Sequence, residues 1–174
     1  MRKFRMIFFL VGAAALTAIA AAGQQEVKNK YQNIEVMRFE IQQGVDMPPE
    51  FLISMTNDIV EQLRKAGGFK EVLREGEQPQ TPGVPTLRLT GTVIKFKKGS
   101  RGMRYMLGPA AAAAGAGKSL VVANTKFTDT ATNEAVFERK VDGRVVMGVI
   151  GGESTGATRG LAKELAKAAK EKFF

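Results

Sequence analysis

Two hydrophobic rhythms organise the chain from residue 33 onward. Residues 34–41, IEVMRFEI, alternate apolar and polar positions with Ile34 and Val36 on one face, the period of a half-buried strand. Pro48 and Pro49 then open a helix, since proline suits a first helical turn. Phe51, Leu52, Met55, Ile59 and Leu63 recur at three- and four-residue spacing and draw one apolar stripe to about Lys65, and Gly67-Gly68 stops it. Residues 69–73 read as a short strand, and the proline- and glycine-rich residues 75–85 as a surface connection. Alternation returns over residues 86–97, with Leu87, Leu89, Gly91 and Val93 opposite Arg88, Thr90, Thr92 and Ile94. Residues 119–128 and 135–147 are two more strand-like runs, and the polar turn at 129–133 makes them a hairpin. Residues 157–173 form a closing helix with Leu161, Leu165 and Ala168 or Ala169 inward and lysines outward.

The order is β-α-β-β-β-β-α. Consecutive strands after the first helix predict an α+β, two-layer domain: a mostly antiparallel sheet with two main helices on one face. No internal repeat is visible.

The first 22 residues follow a different logic. Arg2, Lys3 and Arg5 precede an uncharged apolar run from Met6 to Ala22, which ends in Ala20-Ala21-Ala22 before the polar Gln24-Gln25-Glu26. This is the order of a secretory signal peptide, with cleavage expected after Ala22, within two residues. The same run could be retained as a membrane anchor, since about 20 apolar residues span a bilayer. Its shortness and alanine-rich end favour cleavage. The expected organisation is a signal peptide at 1–22, a flexible segment at 23–32 and one α/β domain at 33–174. The expected location is periplasmic or secreted.

Composition removes several kinds of chemistry. The 174 residues include no cysteine, histidine or tryptophan. Without cysteine there is no disulfide, no thiolate nucleophile, no zinc–sulfur cluster and no lipid-modified N-terminal cysteine. Without histidine the commonest general base and transition-metal ligand are missing. No metal or cofactor is expected. The formal charge is +9; without Arg2, Lys3 and Arg5 it is +6, from 23 basic and 17 acidic residues. That excess suits solubility, and equally contact with anionic surfaces such as membrane headgroups or acidic polymers. Export, and only two tyrosines with no tryptophan for stacking, argue against a nucleic-acid partner.

Two glycine-rich segments stand out: residues 99–118, from Gly99-Ser100-Arg101 to Gly117-Lys118, and residues 148–152. Hairpin geometry predicts that they meet. If the strand ending near Lys97 runs up, the next runs down to the 129–133 turn, and its partner returns Gly151 and Gly152 to the upper end. The final helix starts there, with Ser154 or Thr155 as its cap. Gly99, Ser100, Arg101, Arg104, Gly117, Lys118, Gly151 and Gly152 are therefore the candidate binding residues for a phosphate or carboxylate group. The alternative is that the glycines only let the chain turn and the arginines are solvated. Residues 103–114, rich in alanine, methionine and leucine, could meet a membrane or a partner, or pack over the core as a short helix.

Catalytic readings are weak. Residues 112–119 end in Gly117-Lys118-Ser119 like a phosphate loop, but Ala112 stands where the first glycine is required and a strand follows where a helix should open. Asp129 and Glu134 flank a turn, and Glu138 and Asp142 share the wet face of a strand with Lys140. No pair reads as acid and base, which leaves a small carboxylate hydrolase as a minor alternative.

The motif order, however, is familiar. Gly99-Ser100-Arg101, Met103-Arg104-Tyr105, Gly108, Gly115-Ala116-Gly117-Lys118, a strand, Asp129 with Thr132-Asn133, and Gly148-x-x-Gly151-Gly152 before an alanine/lysine helix resemble domain-of-unknown-function family 4410. The resemblance runs from about Asn33 to the C-terminus and is sharpest over residues 96–152. It implies a secreted or lipid-anchored bacterial envelope protein with no assigned activity. This chain lacks the lipid-attachment cysteine of many members, and its residues 109–114 lengthen the link after Gly108. The combined expectation is a non-enzymatic envelope accessory module that binds a protein or anionic component through its glycine-loop end, or forms oligomers.

Overall fold

The structure is a computed structural model that describes residues 27–99, 119–144 and 155–174. The elements are β1 (Asn33–Val36), β2 (Glu40–Ile41), α1 (Pro49–Ala66), β3 (Glu71–Arg74), β4 (Thr86–Lys97), β5 (Leu120–Asp129), β6 (Ala135–Arg144) and α2 (Thr155–Phe173). Among these residues six strands form one sheet in the order β3-β1-β4-β5-β6, with β2 alongside β4. The antiparallel ladders β4–β5 and β5–β6 run almost the full length of their strands. The parallel pairings of β1 with β3 and β4, and of β2 with β4, span four residues or fewer. The fold is thus the two-layer α+β domain the alternation implies, with a short parallel margin at β1.

The run at 34–41 is not one strand. The chain leaves the ladder after Met37, whose N–H donates to the Leu89 carbonyl, and rejoins β4 at Glu40. In the break Phe39 turns inward to 1 % exposure and packs its ring over Gly91. A strand keeping strict alternation could not place Phe39 there.

Both helices cover one face of the sheet. That face carries Ile34, Val36, Leu87, Leu89, Val93, Val121, Ala123, Phe127 and Val141, all buried. A register shift between Val93 and Lys95 moves Phe96 onto the same face, where its ring centroid lies 5.3 Å from that of Phe51 on α1. The α1 stripe of Met55, Ile59 and Leu63 and the α2 stripe of Ala157, Leu161, Leu165, Ala168 and Ala169 are buried as their spacing requires. The helices are pinned to each other by a polar contact. Thr158 Oγ1 donates to the buried Asp58 Oδ2 at 2.8 Å, and Arg159 Nε lies 3.8 Å from Asp58 Oδ1. A buried carboxylate needs such partners, because desolvation without them is costly.

The seat of α2 on the sheet depends on an absent side chain. A Cβ at Gly143 of β6 would collide with the Ala157 carbonyl oxygen and the Leu161 amide nitrogen, both α2 backbone. On the helix side, a Cβ at Gly160 would approach the Arg144 carbonyl oxygen to 3.0 Å. Strand and helix backbones therefore touch at this point. Gly143→Ala must move the helix, and overpacking of this kind costs about 2 kcal/mol or more. Guanidinium unfolding should show a lower midpoint with unchanged slope; an unchanged midpoint would mean that α2 is not seated on Gly143.

Candidate functional site

Chain direction sets the geometry of the candidate site. β4 ends at Lys97, which pairs with Leu120 at the start of β5, and Leu120 pairs with Arg144 at the end of β6. Three strand ends thus lie in register at one end of the sheet. The N–H of Gly99 donates to Ser119 Oγ at 3.1 Å, and Ser119 is fully buried. This bond closes the base of the connection that carries residues 100–118. The first turns of α2 pack against Gly143 and Arg144, so the helix begins at the same end. Of the candidate residues, Gly99 takes part in this arrangement directly. Ser100, Arg101, Arg104, Gly117, Lys118, Gly151 and Gly152 lie outside the described residues. Both glycine-rich segments depart from, and return to, chain positions gathered at one pole.

The uncovered face of the sheet is polar and carries no sequence motif. A groove of about 820 Å³ crosses it beside the break between β1 and β2, lined by Arg38, Thr90, Thr92, Asn124, Lys126 and Glu138 among others. The signal for it in the sequence is the run of threonine, asparagine and charged residues at alternate positions of β4, β5 and β6. Its charges are already paired or dispersed: Lys126 Nζ lies 4.0 Å from Glu138 Oε1, and nearby Arg88 Nε lies 2.9 Å from Glu35 Oε2. Among the described residues no cluster of acidic side chains could hold a metal ion.

Asp129 holds the hairpin turn together. Asp129 Oδ1 accepts the Ala131 N–H at 2.9 Å, and Oδ2 accepts Lys30 Nζ at 3.1 Å and the Tyr31 hydroxyl at 3.0 Å. Asn133, at φ 59°, donates its N–H to the Asp129 carbonyl and closes the turn. Glu138 and Asp142 are exposed on the wet side of β6, as their parity requires. This lower pole is locked further by aromatic contacts. Phe173 at the end of α2 packs against Phe127 at 5.3 Å and against Tyr31 at 5.8 Å, and its carbonyl accepts the Asn29 N–H. Gly68 leaves room for the Phe174 ring, which meets Phe69 edge-on at 4.9 Å.

Fold and site together define a small two-layer α+β domain in which the ends of β4 and β6, the start of β5 and the first turns of α2 lie at one end. The chain matches the model of the family DUF4410, Domain of unknown function, over residues 18–172, and it belongs to that family. No curated protein gives a significant match. Solved structures share the fold. A PelC dodecamer from Paraburkholderia phytofirmans superposes with a TM-score of 0.53 at 16 % identity, over 84 % of this chain and 91 % of that one. A second PelC dodecamer structure from the same organism, in another space group, gives 0.51 at 14 % identity, over 83 % and 90 %. The hypothetical protein CT253 from Chlamydia trachomatis gives 0.52 at 9 % identity, over 82 % and 97 %. At these identities the likeness is one of fold. No described helix is long and apolar enough to cross a membrane.

Burial raises the Asp129 carboxyl, but the Ala131 N–H, Lys30 and Tyr31 outweigh it and hold the group below its ordinary value of 3.8. A carboxylate with a depressed native pKa stabilises the fold above its unfolded pKa, and that contribution disappears as pH falls through the native value. Asp129→Ala should therefore cost about 1–3 kcal/mol at neutral pH. The gap to the parent should narrow as unfolding is followed to below about pH 4. A gap that stays constant with pH would place the stabilisation elsewhere.

Proposed function

We propose that the protein is an exported, non-enzymatic accessory module of the bacterial envelope, which binds an anionic group through the pole where its two glycine-rich segments meet. The observation that carries this reading is the convergence of Gly99, Ser119, Arg144 and the first turns of α2 at one end of the sheet. Residues departing from those positions include Arg101, Arg104 and Lys118, together with many glycines whose N–H groups no side chain shields. A helix start adds the positive end of its dipole. Asp129, a carboxylate of the hydrolase reading, is bound to Tyr31 and Lys30 at the hairpin turn. Export rests on the basic start and apolar run of residues 1–22. The partner is then a protein or an acidic polymer of the envelope, with the membrane surface as a further anionic candidate.

Self-association is the second reading. The shared fold with a protein that crystallises as a dodecamer favours it, as does the outer edge of β6, which no backbone group among the described residues pairs.

Thermal unfolding in the presence of inorganic phosphate, pyrophosphate, polyphosphate and an acidic polysaccharide tests the first reading. One of these at 100 times its dissociation constant should add about 2.7 kcal/mol. Arg101→Ala and Arg104→Ala should remove that gain while leaving the unliganded midpoint unchanged. No stabilisation by any of them would refute the anion site.

A further inference from the structure

The two outer strands of the sheet are finished differently. On β3 the outer edge is filled by the protein's own side chains: Arg64 Nη2 donates to the Val72 carbonyl at 2.7 Å, and the Glu71 carboxylate accepts the Gln80 N–H at 3.0 Å. On β6 nothing comparable occurs among the described residues. Among the described residues its backbone pairs with β5 on one side, and no backbone group pairs with it on the other. β6 is ten residues long, and a free edge of that length is a template for another strand.

The side chains of β6 specify which strand. Its wet face carries Glu138, Lys140, Asp142 and Arg144 in alternating sign, all exposed. We propose that β6 is a self-complementary edge that pairs antiparallel with β6 of a second copy, centred on Val141. About that centre residues whose numbers sum to 282 face each other. Glu138 then meets Arg144, and Lys140 meets Asp142, each twice by symmetry. Each of these four charges is opposite one of the other sign. On the reverse face Arg139 lies across from Gly143, and Val141 from its own copy, so no like-charged pair arises there. Neighbouring registers lose this match. Centring on Lys140 sets it against itself and Glu138 against Asp142; centring on Arg139 sets two arginines face to face. A parallel arrangement in register puts like against like throughout. Directly opposed residues in an antiparallel pair have Cα atoms about 4.5–5.5 Å apart, close enough for these pairs to act.

This inference rests on the self-association reading and gives it a surface and a symmetry. It does not depend on anion binding at the glycine pole, which lies beyond the end of β6.

Sedimentation velocity of the full chain across a range of concentrations tests it, with three variants. Lys140→Asp alone and Asp142→Lys alone each create two like-charged pairs and should weaken the dimer at least about tenfold. The double exchange, Lys140→Asp with Asp142→Lys, restores opposite signs and should recover dimer affinity. Cysteine pairs check the register without charge reversal, since the native chain has no cysteine. A mixture of Lys140→Cys and Asp142→Cys proteins should form a disulfide-linked heterodimer on oxidation, and neither should link to itself, because its own copy lies a diagonal step away. A chain that stays monomeric at every concentration would overturn both this pairing and the self-association reading. Association that ignores the single reversals, or a mixture that fails to link, would overturn the β6 pairing and leave self-association through another surface.

Discussion

The close contact between β6 and α2 at Gly143 and Gly160 fixes where everything else in the domain can go. With no side chain between the two backbones, the helix lies flush on the sheet. Its alanine- and leucine-rich stripe then closes over Val121, Ala123 and Val141. Protein interiors tolerate neither voids nor overlap of even a methyl group. The helix therefore has one seat, and that seat sets its direction: start at the upper pole beside Arg144, end at the lower pole with Phe173 against Phe127.

The two poles carry opposite duties as a result. The lower pole is closed by the aromatic group around Phe173 and by Asp129, whose carboxylate holds the hairpin turn, Lys30 and Tyr31 together. Burial and the bond to Asp129 keep the Tyr31 phenol above its ordinary value, and the same carboxylate holds the Lys30 ammonium up. These groups are committed to structure. Among the described residues the upper pole is built from the Gly99–Ser119 bond and the strand ends, from which the chain leaves into two glycine-rich segments, the first carrying Arg101 and Arg104. A rigid scaffold presenting loops at one end is the common arrangement for binding.

Much of this was legible in the residues. The 86–97 alternation coincides with β4, and Met55, Ile59, Leu63, Leu161 and Leu165 of the two helical stripes are buried. Hairpin geometry placed the strand ends correctly because a polar turn between two alternating runs leaves little freedom in direction. The break at Phe39 was not legible, since IEVMRFEI alternates well enough to read as one strand; only the space over Gly91 explains the departure. The parallel position of β1 between β3 and β4 was likewise hidden, because pairing order is decided by long-range contacts that no local period records. Gly143 passed as one glycine in a strand, a pattern that often marks close backbone approach. Of the candidate site, hairpin direction gave the register of the strand ends that flank both glycine-rich segments, while those segments lie outside the described residues; the finished edge of β3 and the edge of β6, unpaired among the described residues, needed coordinates.

The shared pole is the claim on which the functional account stands. The native chain has no cysteine, so spin labels can be placed pairwise at Arg104, Gly152 and Thr132, the last in the hairpin turn at the lower pole. Distances between labels in frozen solution then compare the three positions directly. The account predicts that Arg104 and Gly152 lie closer to each other than either lies to Thr132. A Gly152 label nearer to Thr132 than to Arg104 would contradict it.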